Sequence, residues 1–179
     1  MIVLKPQDVA ILLKLMVKQD HWTIASLAGE LVMSASEVHA GLQRCGHARL
    51  YSPSDRHVRT DEFEEFIFHG FKFVFVTQKG PLTRGIPTSF AAPPLNRLFD
   101  EPEIPPVWPH PAGTKRGYEI TPLYKRAANA ALMDPGFYEL LALADAIRDD
   151  GPRVRTAATQ ELNARFESYR NSIRHKDVS

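Results

Sequence analysis

The sequence predicts a mostly α-helical protein with one small β-hairpin, a Pro-rich irregular arm and a C-terminal helical region. Three observations indicate this class. Apolar residues recur with helical spacing near both ends of the chain, two short strand-like runs flank the turn-forming segment SPSD, and ten prolines fall within residues 79–122. We therefore expect three segments, 1–78, 79–122 and 123–179, the first of which carries the hairpin.

The first two helices have recognisable beginnings. One is predicted over residues 6–19, where Pro6 occupies the first turn and apolar residues follow at helical spacing. Thr23 is suited to cap a second, short helix that ends near Leu31, because its hydroxyl can accept a backbone N–H of the first turn.

The third helix has the strongest local signal in the chain. Ser34 is followed three residues later by Glu37, which is the spacing of a capping box. We expect the helix to reach about Cys45 and Gly46 to end it in the C′ position. Its inner face and that of the second helix are expected to comprise Ala25, Leu27, Ala28, Leu31, Val38, Leu42 and Cys45.

A strand, turn and strand are predicted directly after the third helix. Residues 48–51 and 56–59 are the strand candidates, and the turn lies between them. Thr60 or Asp61 is suited to cap a fourth helix with an apolar stripe. The run FVFV at 73–76 fits either a short buried strand or the end of that helix, and periodicity does not distinguish the two.

The segment 79–122 is rich in both proline and large apolar residues. Its prolines argue against regular helices and central strands. Its apolar residues argue for packing, so we expect an ordered, irregular arm that contacts the rest of the chain or a partner. A disordered tether is the alternative.

Two helices are predicted in the C-terminal region. Asp134-Pro135 opens one that stops at Gly151, and the other covers about 153–172. The second helix has an apolar stripe of Val154, Ala158, Leu162, Phe166 and Tyr169. Such a stripe fits packing within the chain, and it equally fits pairing with a second copy, so we expect a homodimer that forms through these helices.

The pattern A-x-L-A-x-x-L-x-M-S-x-S-x-V-x-x-x-L over residues 25–42 is followed by the segment ARLYSPSDRHVR. Together they resemble the winged helix-turn-helix of bacterial regulators such as the MarR group, over about the first 60 residues. The resemblance implies that the third helix enters the major groove of double-stranded DNA. It also implies that the hairpin, or wing, contacts the flanking backbone or minor groove.

The same resemblance implies which residues contact DNA. Many relatives carry Arg or Lys at the place of Ala40, so direct readout is expected to depend on Gln43 and His39. Ser34 falls where phosphate contacts are made. The complete implied set is Ser34, Ala35, Ser36, His39, Ala40, Gln43 and Arg44 on the third helix, with Arg56, His57 and Arg59 in the wing.

The expected function is therefore sequence-specific transcriptional regulation by a homodimeric repressor that acts in the cytoplasm. No pairing of a nucleophile with a base and no metal-ligand spacing stands out, so an enzyme, a cofactor and a metal site are not expected. No run is apolar enough for a membrane span, and the charged residues of the N-terminal segment do not fit a signal peptide.

One alternative comes from a different class of protein. The formal net charge is only +1, which is low for a protein that binds DNA mainly through charge. In this alternative the winged helix is a scaffold, antitoxin-like or adaptor-like, and the arm at 79–122 binds a partner protein. Binding to random duplex at low salt would distinguish the two hypotheses.

Overall fold

The structure is a computed structural model that describes residues 1–18, 21–148 and 151–176. Most of these residues are helical, and the strands that they form belong to two small sheets. The prediction of a mostly α-helical chain with a small β component is thereby confirmed. Within the described ranges, no helix has both the length and the apolar character needed to cross a bilayer.

The N-terminal part follows the predicted order of three helices and a hairpin. Its helices are α1 (Pro6–Val17), α2 (Ile24–Leu31) and α3 (Ala35–His47), and its strands are β1 (Tyr51–Ser52) and β2 (His57–Val58). The strands are shorter than predicted, and they pair antiparallel with Tyr51 opposite Val58. The predicted end of α1 at residue 19 lies outside the described residues.

Gly46 does not end α3, so that prediction is wrong. The helix continues to His47, and Arg49 adopts the left-handed conformation with φ 62°. The backbone N–H of Leu50 bonds to the carbonyl of Cys45 at 2.9 Å, and that of Arg49 bonds to Gly46 at 3.0 Å, which is a Schellman motif. Gly46 instead provides room for the hairpin, because a Cβ there would lie 3.3 Å from Cγ of Pro53.

The fourth predicted helix is divided in the structure. Thr60–Glu65 forms α4, a π-helical turn covers Phe66–Gly70, and α5 covers Phe71–Val74. The run at 73–76 is therefore the end of a helix rather than a buried strand, and the side chains of Phe73 and Val76 are exposed. The remaining helices are α6 (Ala127–Met133), α7 (Pro135–Arg148) and α8 (Pro152–Lys176).

The arm is not irregular, so that part of the prediction is wrong. It forms a closed sheet of three strands, β3 (Lys79–Pro87), β4 (Pro106–Pro109) and β5 (Lys115–Ile120). Strand β3 is antiparallel to both of the others, whereas β4 and β5 run parallel. The prolines did not prevent these strands because several lie at strand ends, where the missing N–H is least costly.

Two glycines allow the three strands to close on one another. A Cβ on Gly85 would overlap the carbonyl oxygen of Trp108, and a Cβ on Gly117 would overlap that of Pro105. The strands therefore approach more closely than side chains permit elsewhere.

A buried carboxylate joins the arm to α7. Asp145 accepts hydrogen bonds from Thr88 Oγ1 at 2.7 Å and from Trp108 Nε1 at 2.8 Å, and it also pairs with Arg148. Arg148 in turn donates to the backbone carbonyls of Phe75 and Thr121. One side chain on α7 thus anchors two parts of the arm.

Helix α1 lies at the centre of the molecule. Every residue from Asp8 to Met16 is buried, and the helix contacts α3, α7 and α8. Buried apolar side chains from all three predicted segments belong to one continuous cluster. The three segments therefore share one core, and the boundaries between them at 78 and 122 remain a prediction.

The apolar stripe of α8 is used within the chain. Ala158, Leu162 and Phe166 are fully buried, and the Phe166 ring lies 5.6 Å from that of Phe63 in an edge-to-face arrangement. Tyr169 is buried as well, and its hydroxyl accepts a hydrogen bond from the backbone N–H of Val58 at 3.1 Å. This stripe is therefore not available for pairing with a second copy.

Candidate nucleic-acid interface

The N-terminus of α3 is held by the predicted capping box. Glu37 accepts the backbone N–H of Ser34 at 2.9 Å, and Ser34 Oγ accepts that of Glu37 at 3.2 Å. The hydrogen bonds from the Ser34 backbone and hydroxyl lower the pKa of the Glu37 carboxyl. Both side chains are exposed, so the helix begins at the protein surface with a fixed first turn.

The outer face of α3 is open to solvent. Ala35, Ser36, His39 and Gln43 are exposed, and Ala40 is half-buried. No other element covers this face within the described residues. The side chains are small or polar, which suits a helix that fits between two ridges of a larger partner.

Arg44 points away from this face. Its guanidinium donates two hydrogen bonds to the carboxylate of Asp8, at 2.7 Å and 2.6 Å, and the Asp8 side chain is fully buried. The hydrogen bonds to Asp8 raise the pKa of Arg44. Arg44 therefore joins α3 to α1, and the structure does not bring it together with the other predicted contact residues.

The three predicted contact residues of the hairpin differ in their partners. Arg59 is ion-paired with Glu62, and His57 lies 3.9 Å from the carboxylate of Asp55. Arg56, in the left-handed conformation with φ 56°, is the one that turns toward α3. Of the three, only Arg56 extends the surface formed by Gln43 and His39.

Trp22 fixes the position of Arg56. The guanidinium carbon lies 4.2 Å from the centre of the Trp22 ring, and the guanidinium donates a hydrogen bond to the Trp22 carbonyl at 2.9 Å. Such stacking and hydrogen bonding restrict a side chain that is otherwise flexible. The cation is therefore already placed in the free protein.

A groove of about 260 Å³ lies between α3 and the hairpin. Its polar edge includes His39, Gln43 and Arg56, all of which are exposed. Within it lie the largely buried side chains of Leu42 and Tyr51. The complete lining is Trp22, Ile24, His39, Leu42, Gln43, Tyr51, Pro53 and Arg56.

No known protein family, curated protein or solved structure matches this chain. The site must therefore be interpreted from its own geometry. That geometry brings Ser34, Ala35, Ser36, His39 and Gln43 together on one surface, with Arg56 beside them.

The sequence interpretation missed the residues that complete the groove. The sequence pattern predicts no role for Trp22, and it predicts a strand at Tyr51 and a turn at Pro53. An available signal was the placement of a large aromatic residue directly before the Thr23 cap. Ala25, which was expected on the inner face of α2, is instead exposed.

Cys45 lies on the opposite side of α3. It is fully buried, and burial raises the pKa of its thiol well above the usual range. A protonated thiol without solvent contact is a poor nucleophile. Its position is that of a core side chain, in contact with the backbone carbonyl of Asp8 through a weak hydrogen bond of 3.7 Å.

Proposed function

We propose that this protein binds double-stranded DNA sequence-specifically and regulates transcription, as a homodimeric repressor. In this proposal α1, α2, α3 and the hairpin form a winged helix-turn-helix. Helix α3 enters the major groove, Gln43 and His39 approach base edges, and the amides at its N-terminus approach phosphate.

The observation that carries the proposal is the exposed outer face of α3 beside the fixed guanidinium of Arg56. A recognition helix must protrude, must present small or polar side chains and must have cations near its edges. All three properties are found on this surface. The proposal would have had no basis if α3 were covered by the arm or by α8.

The local charge also supports an anionic partner. Among the described residues that line the groove, none is an aspartate or a glutamate, and Arg56 carries a permanent positive charge. The chain as a whole is almost neutral, at +1. A modest cationic surface predicts that affinity depends on base contacts as well as on phosphate contacts.

The homodimer belongs to the proposal because helix-turn-helix proteins usually read two half-sites about one helical turn apart. Since the apolar stripe of α8 is buried within the chain, the dimer contact must use a different surface from the one predicted. Sedimentation of the protein with and without a two-site duplex measures the stoichiometry. A single copy on every selected duplex would remove the homodimer from the proposal.

The deciding experiment is selection of bound duplexes from a random pool, followed by affinity measurements on the selected sequence. We expect Gln43→Ala to weaken binding to that sequence by about 1–3 kcal/mol and to relax the preference at one base pair. Gln160→Ala, an exposed change on α8, is the matched control and should bind as the wild type does. No enrichment of any sequence would contradict the proposal.

A second candidate function is binding of a partner protein through residues 79–122. It is favoured by a cavity of about 380 Å³ between the arm and α7, whose lining includes Phe90, Phe99 and Tyr138 together with several prolines. Filter binding on random duplex at low salt separates the candidates, because a protein-binding scaffold has no reason to retain DNA under those conditions.

A further inference from the structure

The groove between α3 and the hairpin has a composition that phosphate contacts do not explain. Its inner side chains, Leu42 and Tyr51, are largely buried, and burial raises the pKa of the Tyr51 hydroxyl. Ile24 and Pro53 add further apolar surface. An apolar recess of this kind next to an exposed polar helix face suits a partner with a small apolar group among polar ones.

Double-stranded DNA offers such a group in the major groove. Each A·T pair presents hydrogen-bonding atoms together with the C5-methyl of thymine, and G·C pairs present no methyl. His39 and Gln43 each belong both to the polar face of α3 and to the lining of the recess. A base pair read by Gln43 would therefore place its own methyl, or that of its neighbour, against the recess.

The charge of the recess favours the same occupant. The guanidinium of Arg56 is held at its edge by Trp22, and no acidic side chain of the described chain lines it. An apolar side chain of a partner protein would gain nothing from this cation unless the partner were acidic, whereas DNA always brings phosphate within reach of the major-groove edge.

We propose that this recess is a methyl-recognition site, which takes the C5-methyl group of a thymine in the major groove and makes the protein selective for that methyl. The inference rests on the proposed DNA-binding function and names a specificity element within it. Ile24, Leu42 and Tyr51 contact the methyl, while Arg56 contacts the adjacent phosphate.

The test removes the methyl without changing base pairing. In a duplex obtained by selection, each thymine is replaced in turn by uracil, and the affinity of the wild-type protein is measured. We expect one position in each half-site to lose about fourfold in affinity, because one buried methyl is lost there. At that position, a 5-methylcytosine·guanine pair should bind better than a cytosine·guanine pair by a similar factor.

A variant that fills the recess tests its location. Ile24→Phe should abolish the difference between thymine and uracil while the protein still binds the duplex. Ala25→Phe adds the same ring at the neighbouring exposed position, which does not line the recess, and should keep the difference. Thermal unfolding of both variants shows whether the fold is retained.

The outcomes separate the two levels of the proposal. Sequence-selective binding that is unaffected by uracil at every position would overturn methyl recognition and would leave DNA binding intact. A uracil effect that persists in Ile24→Phe would place the methyl contact elsewhere and would also overturn the inference. If no duplex is selected at all, the DNA-binding function itself fails.

Discussion

Arginine residues near α3 have different roles because their partners differ. Arg44 is joined by two hydrogen bonds to a buried carboxylate, Arg59 pairs with a half-buried one, and Arg56 stacks on Trp22. A positive charge already neutralised by a nearby carboxylate contributes less to binding phosphate than one held by an aromatic ring. Sequence alone showed only that all three lie near the predicted interface.

Arg44→Ala should destabilise the protein rather than affect DNA binding directly. The change leaves the carboxylate of Asp8 buried without its partner, which costs about 3 kcal/mol in the free energy of unfolding. Urea denaturation measures this cost. Arg174→Ala, at an exposed position on α8, should change stability by less than about 0.5 kcal/mol. A stable Arg44→Ala protein that binds DNA poorly would show that Arg44 is a contact residue after all.

Arg56→Gln should weaken binding to every duplex and flatten its salt dependence. The change removes one placed charge, so the slope of log K against log salt should fall by about one for each copy bound. Arg59→Gln is the matched comparison, and its effect should be smaller because Arg59 is engaged with Glu62. Equal slopes for the wild type and Arg56→Gln would exclude the guanidinium from phosphate contact.

At the scale of the element, the close approach of α1 and α3 determines how the outer face is presented. A Cβ on Gly41 would overlap the side chain of Ile11 and would lie 3.1 Å from the carboxylate of Asp8. Gly29 lies in α2, where a Cβ would have nothing within 4 Å. The two glycines therefore provide a matched pair in adjacent helices.

Gly41→Ala and Gly29→Ala should change stability in opposite directions. Overpacking at Gly41 should cost about 1–3 kcal/mol, since either the buried end of the Ile11 side chain has to shift or α3 has to move away from α1. At Gly29 the added methyl meets no neighbour, and the gain in helix propensity should stabilise the protein by about 0.5–1 kcal/mol. Thermal or urea unfolding measures both, and the same sign for the two variants would contradict the close packing of α1 on α3.

Elements whose ends depend on local hydrogen bonds were predictable, and elements that depend on distant partners were not. The Thr23 and Ser34 caps act within three residues, so they could be recognised from the sequence. Strand β3 pairs with residues far along the chain, such as Lys79 with Ile120, and prolines interrupt its pattern. Within the candidate site, the exposed face of α3 could be predicted. The groove could not, because it depends on a contact between Trp22 and Arg56, which are 34 positions apart in the sequence.

At the scale of the whole molecule, buried polar groups connect parts of the chain that are distant in sequence. Asp145 joins α7 to the arm, and buried Lys14 joins α1 to Glu30 and Asp134. Burial of such groups is compensated by the hydrogen bonds and ion pairs that they form. They make the arm part of the fold rather than an attachment to it.

Asp145→Ala should destabilise the whole protein and not the arm alone. The change leaves Thr88 and Trp108 without an acceptor and leaves Arg148 buried and unpaired, at a cost of about 3–5 kcal/mol. Asp61→Ala removes an exposed carboxylate that is also paired with an arginine, and should cost less than about 1 kcal/mol. We expect the variant to unfold in a single urea transition, with its midpoint at a lower urea concentration than that of the wild type. Loss of the arm alone, seen as a separate early transition, would contradict this view.

The enclosure of α1 restricts how this protein can be divided or recombined. Grafting the first 60 residues onto another protein would expose to water the apolar surface of a helix that is buried on every side, and such a fragment would be expected to aggregate. A change in the partner that the proposed interface selects would therefore have to be made by replacing side chains on α3 and around Trp22. Transfer of an intact N-terminal module would not preserve the fold.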